Sequence, residues 1–250
     1  MTESGKVETE VADGIATITF SHPKSNSLPA AVLQALADSV RAAGKNDDAR
    51  VIVLRSTGEG AFCAGASFSE LQRVTTPEEG QTFFSGFGSL ILAMIRAPKF
   101  VIARVQGKTV GGGAGIVAAS DYAIATRAAS VRLSELAVGI GPFIIGPVIE
   151  KKVGLAAFSA MAVDADWRDS VWAERHGLFA ELTEDIPQLD VRVAARAKTL
   201  AASNPEAMAR LKEIFWAGTE SWNELLKVRA ATSGKLVLSD FTRTAIKSRG

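Results

Sequence analysis

The sequence predicts an α/β protein with crossover connections and a helical C-terminal segment. Three observations carry this. Short apolar, strand-like runs alternate with helical patterns through residues 1–185. Two of those runs end in glycine- and alanine-rich junctions, at residues 61–67 and 108–115. Across residues 186–250 the apolar spacing is helical throughout.

The elements follow in order. Residues 7–20 read as a hairpin, with Asp13-Gly14 as its turn and Ala16, Ile18 and Phe20 on one apolar face. Pro29 suits a first helical position, and Val32, Leu33, Leu36 and Val40 carry helical spacing over residues 30–43. Residues 51–54 form a short buried strand. Thr76-Pro77-Glu78-Glu79 is a helix start with a capping box, and that helix reaches about Ile95, before Pro98. Residues 100–105 are a strand, 112–119 a buried helix and 122–125 another strand. Asn204-Pro205 separates two later helices, and residues 222–238 read as the last one. Leu211, Ile214, Phe215, Trp216, Leu225 and Leu226 give this segment apolar faces that need a surface to cover.

Composition narrows the function classes. At 250 residues there is room for one large domain or two small ones, and 47% hydrophobic with 22% charged residues is ordinary for a globular protein. A net charge of +1 provides no bulk attraction for nucleic acid or an anionic membrane. The single cysteine, Cys63, rules out an internal disulfide and fits a reducing compartment. No apolar stretch is long enough to span a bilayer, and residues 1–10 are polar, unlike a signal peptide. These features give a cytoplasmic expectation.

The chemistry centres on the two junctions. Lys108-Thr-Val-Gly-Gly-Gly-Ala-Gly115 lets the backbone approach a ligand closely, with unpaired helix-start N–H groups aimed at it. Such a site suits a phosphate or a developing oxyanion. Ala61-Phe-Cys-Ala-Gly-Ala-Ser67 has the same character at another strand end. Two N–H donors from separate strand ends can converge on one oxygen. Competing chemistries lack their residues. The glycine pattern is not a dinucleotide fingerprint, and no Gly-Lys-Ser/Thr is present. Gly65-Ala-Ser67-Phe-Ser69 lacks the last glycine of a nucleophile elbow. With His22 and His176 as the only histidines, no set of ligands has metal spacing. Cys63 reads as a small buried residue, and the four tryptophans as packing or interface residues.

Phe62-Cys-Ala-Gly-Ala66, Pro98-Lys-Phe-Val-Ile102, Gln106-Gly107, Gly111-Gly-Gly113, Ser120-Asp-Tyr-Ala-Ile-Ala125, Ser134-Glu135 and Gly139-Ile-Gly-Pro142 occur in one characteristic order. In that ordered set the chain resembles the crotonase, or enoyl-CoA hydratase/isomerase, superfamily, from about Val7 to Phe179. The resemblance implies a ββα spiral core over residues 1–185, with residues 186–250 packing on it, covering the acyl pocket and building a homotrimer or dimer of trimers. It implies an acyl-CoA thioester as substrate, with CoA as part of that substrate and no other cofactor or metal. It also implies Ala66 and Gly112 as the oxyanion donors and Glu135 as a catalytic carboxylate.

The residues support that assignment of Glu135. It is flanked by Leu133 and Leu136, and a carboxylate in apolar surroundings gains basicity. The hydratases of the family carry a second glutamate where this chain has Gly115. Asp121, the next carboxylate, reads as a structural group bonding backbone N–H. The resemblance therefore leaves three activities open. They are hydration of a 2-enoyl-CoA, isomerisation of a 3-enoyl-CoA by one proton shuttle, and CoA-ester binding without catalysis. Further substrate contacts implied are Lys24 and Ser25 toward CoA, and Ala64, Gly65, Ser67, Phe68, Gly111 and Phe143 around the thioester and acyl group. Leu71, Phe83, Phe84 and Phe87 are additional candidates for the acyl pocket. Residues 141–146 depart from the Pro-Gly-Ala-Gly-Gly run of linear-chain hydratases, which alters the expected pocket shape.

Overall fold

The computed structural model describes residues 5–247. Met1–Ser4, part of the stretch read as unlike a signal peptide, lie outside the described residues, as do 248–250.

In chain order the elements are β1 (Lys6–Ala12), β2 (Ile15–Ser21), α1 (Ala30–Lys45), β3 (Val51–Ser56), α2 (Phe68–Leu71), α3 (Pro77–Arg96), β4 (Val101–Val105), β5 (Thr109–Val110), α4 (Gly112–Ala119), β6 (Tyr122–Thr126) and β7 (Ser130–Arg132). A short 3-10 turn, Leu136–Val138, precedes α5 (Gly146–Asp164), β8 (Arg168–Asp169), α6 (Ser170–Arg175), β9 (Glu181–Thr183), α7 (Ile186–Ala201), α8 (Pro205–Phe215), α9 (Trp222–Leu236) and α10 (Asp240–Lys247).

The main sheet has the order β1-β2-β3-β4-β6-β9. Its β1–β2 hairpin is antiparallel, and β2, β3, β4, β6 and β9 run parallel. A small second sheet has the order β5-β7-β8. Local chemistry explains the elements that were predicted. Asp13 and Gly14 both adopt positive φ (52° and 77°), the geometry a two-residue hairpin turn needs. Thr76 and Glu79 form the reciprocal capping box at the start of α3. One face of the sheet packs Ala16, Ile18, Phe20 and Leu54 against α1 and α3. The opposite face packs Val51, Val53, Ile102 and Ile124 under Leu189, Val193 and Ala197 of α7.

Some expectations are corrected. Pro29 takes the cap position, extended at φ −68° and ψ 161°, and Ala30 opens the helix. The last helix is α10, not the segment ending at residue 238, because the chain breaks after α9 and restarts at Asp240. Asp121 is structural, and its partners extend beyond backbone. Its carboxylate accepts from Val101 N (2.7 Å) and Trp216 Nε1 (2.9 Å), and pairs with Lys212 Nζ at 2.8 Å. The side chains of this ion pair are 4% and 3% exposed, and Lys212 also donates to Lys99 O. The cluster fastens α8 to the start of β6. The helices after β9 thus pack on the chain's own core, α7 on the sheet and α9 along α3.

Candidate active site

The parallel strands deliver three loops to one place, as open α/β sheets do at their carboxyl ends. After β3, residues 57–67 turn back across the end of the sheet. After β4, the chain passes through β5 into Gly111 and α4. After β7, Ser134 and Glu135 lead into the short turn and the loop 139–145.

The first two loops interlock. Cys63 bridges Thr109, with Val110 N–H donating to Cys63 O at 2.9 Å. Gly65 is at φ +84°, and a β-carbon on it would stand 2.8 Å from Val110 O and 3.6 Å from Gly112 N. A β-carbon on Gly113 would stand 2.7 Å from that of Cys63. Small residues are therefore compulsory at this seam. A parallel bridge between Leu28 and Ala66 uses Gly65 O and Ser67 N–H, so the Ala66 N–H stays outside it. Gly112 is the first residue of α4, where helix-start N–H groups lack intrahelical acceptors and the dipole adds positive potential. Residues Ala66 and Gly112 border the same cavity. Phe87 of α3 covers this end of α4, since a β-carbon on Gly112 would lie 2.1 Å from the Phe87 ring.

Glu135 reaches into this seam. A β-carbon on Gly111 would lie 2.7 Å from Glu135 Oε1. The residue as a whole is half-buried, but its Oε2 is out of water and has no hydrogen-bond partner. Burial lifts its pKa from 4.5 to about 7, against the smaller opposing pull of backbone N–H groups at Glu135 and Ser134. Among the described residues it is the only titratable side chain lining the cavity. A carboxyl that titrates near neutrality in a cavity bordered by backbone N–H groups can move protons at a carbon next to a carbonyl.

The predicted site residues mostly meet here. Ala64, Gly65, Ala66, Phe68, Gly111, Gly112, Glu135 and Phe143 line this cavity, together with Leu71, Phe84 and Phe87. Lys24 and Ser25 line an adjoining cleft of about 400 Å³ that shares Ala64, Ala66 and Phe68 with it. Two expected residues stand elsewhere. Ser67 is buried with its hydroxyl on Ser69 Oγ at 3.0 Å, and Phe83 packs edge-on against Phe84 and Phe87 behind the wall. Cys63 is inert, its thiol pushed up to about 12 by burial. Among the described residues no cluster of His, Cys, Asp and Glu could hold a metal ion.

The sequence reading missed Ile145. It stands against the backbone position where a second glutamate was expected, because a β-carbon on Gly115 would meet Ile145 Cγ2 at 2.5 Å. A larger groove of about 550 Å³ between α1, α3 and α9 has no carboxylate and none of these donors among its lining residues.

A seam of this kind on two sheets and a buried carboxyl define a crotonase-fold protein. Comparison with known proteins agrees. The enoyl-CoA hydratase/isomerase family model matches residues 10–247, and the chain belongs to that family. It is 32% identical over 207 residues to a (7aS)-7a-methyl-1,5-dioxo-2,3,5,6,7,7a-hexahydro-1H-indene-carboxyl-CoA hydrolase of Mycobacterium tuberculosis, covering 80% of this chain and 79% of the relative. It is 30% identical over 218 residues to a probable enoyl-CoA hydratase of Rhodobacter capsulatus, covering 84% and 80%. Its fold matches the crystal structure of an enoyl-CoA hydratase from Bacillus halodurans with a TM-score of 0.89 at 21% identity, over 97% of this chain and 99% of that one.

Proposed function

We propose that the protein hydrates a 2-enoyl-CoA to a 3-hydroxyacyl-CoA, with Glu135 as the sole acid/base. The observation that carries this reading is the unpartnered Oε2 of Glu135, buried in a cavity bordered by Ala66 and Gly112. The thioester oxygen lies between the N–H groups of Ala66 and Gly112, the acyl chain enters the apolar cavity, and CoA follows the cleft past Lys24 and Ser25.

The ionised Glu135 takes a proton from water as that water's oxygen bonds to the β-carbon. The π electrons move onto the thioester oxygen, where the two donors hold the charge. Glu135 then returns its proton to the α-carbon and the carbonyl re-forms. Each donor of this kind is worth ~10²–10³ in rate. A pKa near 7 suits a group that must serve as base and then as acid.

A second reading is favoured by Ile145. With that side chain filling the space beside Gly115, the described residues lining the cavity offer no second carboxylate to hold water, only the Ser134 hydroxyl. Glu135 alone could then carry a proton from the α- to the γ-carbon of a 3-enoyl-CoA. Incubation with crotonyl-CoA and, separately, a 3-enoyl-CoA decides between them by product mass and conjugated-thioester absorbance. Hydration adds one water to crotonyl-CoA and removes the absorbance. Isomerisation leaves crotonyl-CoA unchanged and creates absorbance from the 3-enoyl substrate. No turnover of either would leave a protein that binds CoA esters without catalysis and would overturn the proposal. A trimeric assembly accompanies the proposal as a family expectation, and a cytoplasmic location as the expectation from composition; among the described residues no helix is long and apolar enough to cross a membrane.

A further inference from the structure

Two consecutive residues place unmet polar groups in an otherwise apolar cavity. Among the described residues lining it, Ser134 and Glu135 alone carry polar side chains. Glu135 Oε2 has no hydrogen-bond partner. Among the described residues the Ser134 hydroxyl has none either. Other serines near the site are committed. Ser27 Oγ meets His22 Nδ1 at 2.9 Å, Ser67 Oγ meets Ser69 Oγ at 3.0 Å, and Ser120 Oγ donates to Val117 O at 2.6 Å.

The backbone holds Ser134 from both sides. Two residues before it, Arg132 O accepts from Gly111 N–H at 2.9 Å. Leu133 is fully buried. Just after it, Glu135 O accepts from Ile140 N–H at 2.9 Å and from Val138 N–H at 3.2 Å. Ser134 itself is half-buried at the cavity wall.

An acyl chain entering this cavity strips bulk water from both groups, and a buried hydroxyl left without a partner is costly. A water retained there needs two or more polar partners. In the hydration reading the Ala66 and Gly112 N–H groups are taken by the thioester oxygen, so Ser134 and Glu135 are the side chains left to hold it. Resting on that reading, we propose that Ser134 is a further catalytic residue, whose Oγ holds the attacking water beside Glu135. One proton of that water passes to the Glu135 carboxylate as the water oxygen bonds to the β-carbon. The other stays on the oxygen, donates to Ser134 Oγ and becomes the hydroxyl proton of the product. Ser134 keeps its own proton throughout.

Ser134→Ala and Ser134→Thr are compared with wild type in two assays. Hydration of crotonyl-CoA needs the held water. Exchange of the α-protons of butyryl-CoA in deuterium oxide needs Glu135 and the oxyanion donors, but no water at the β-carbon. The expected result for Ser134→Ala is a fall of about tenfold in hydration kcat, with α-proton exchange and butyryl-CoA affinity retained. Ser134→Thr, which keeps a hydroxyl, recovers most of the loss. Unchanged hydration by Ser134→Ala would overturn the role. So would an equal fall in exchange and hydration, the mark of a residue that only shapes the site. A wild-type protein that exchanges the α-protons without hydrating crotonyl-CoA would overturn the hydration reading itself, and the role of Ser134 with it.

Discussion

Ile145 and Gly115 are in direct apposition: no side chain can project from position 115 without striking the Ile145 Cγ2 methyl, 2.5 Å from where a β-carbon would sit. Gly115 lies on the first turn of α4, and Ile145 immediately precedes α5. The contact leaves the site with one carboxylate. Gly115→Glu in the wild-type background therefore overpacks a buried seam and should destabilise the protein by ~1–3 kcal/mol. Gly115→Glu combined with Ile145→Ala should recover most of that loss. Denaturant unfolding of the two variants checks the relationship; equal stability of both would show that the methyl is not what closes the position.

The pH profile follows from Glu135. Burial raises its pKa to about 7, and the proposed hydration starts from the ionised form. We expect kcat/KM to rise as pH increases through about 7 and to level above it. A profile that is already flat at pH 5.5 would mean that the base titrates as an ordinary carboxylate.

The same shift has a stability consequence of defined sign. The folded protein holds the Glu135 proton up to about 7, and the unfolded chain releases it near 4.5. Stability from this group is present below 4.5 and is lost as pH rises to about 7. At ~1.4 kcal/mol per pH unit, ionising Glu135 in place costs about 3 kcal/mol. Glu135→Gln should therefore be more stable than wild type at pH 8, by up to about 3 kcal/mol, and nearly equal to it at pH 4.5. Chemical denaturation at the two pH values measures the difference.

How far this was readable in the sequence depends on the range of each interaction. The β1–β2 turn, the Thr76–Glu79 capping box and the span of α4 follow from neighbouring residues, and the structure has them as expected. Glu135, Ala66 and Gly112 were identified through an ordered set of motifs, and the fold brings all three to one cavity. Ile145 was not legible, because residues 141–146 have no periodicity and nothing local shows which helix they face. Nor were Lys212 and Trp216, whose shared partner Asp121 lies several elements earlier. The break between α9 and α10 lacks a proline or glycine to mark it.

That distant cluster yields its own prediction. Burial pulls the Lys212 pKa down, and the Asp121 carboxylate partly restores it. Lys212→Ala takes the directly paired ammonium from a buried carboxylate that keeps Val101 N–H, Trp216 and the charge of the nearby Lys152, which should cost up to ~3–5 kcal/mol. The cluster lies outside the Glu135 cavity, so kcat per folded molecule should stay within about twofold of wild type. A large fall in kcat at unchanged stability would place Lys212 in the chemistry instead.

The central claim is that Glu135 is the only proton carrier in the site. Its most direct test is kcat for Glu135→Gln against wild type on whichever enoyl-CoA is turned over, with butyryl-CoA affinity measured alongside. The account predicts a loss of at least ~10²–10⁴ in kcat, the usual scale of general acid–base catalysis, with thioester affinity retained. Turnover within tenfold of wild type would contradict it.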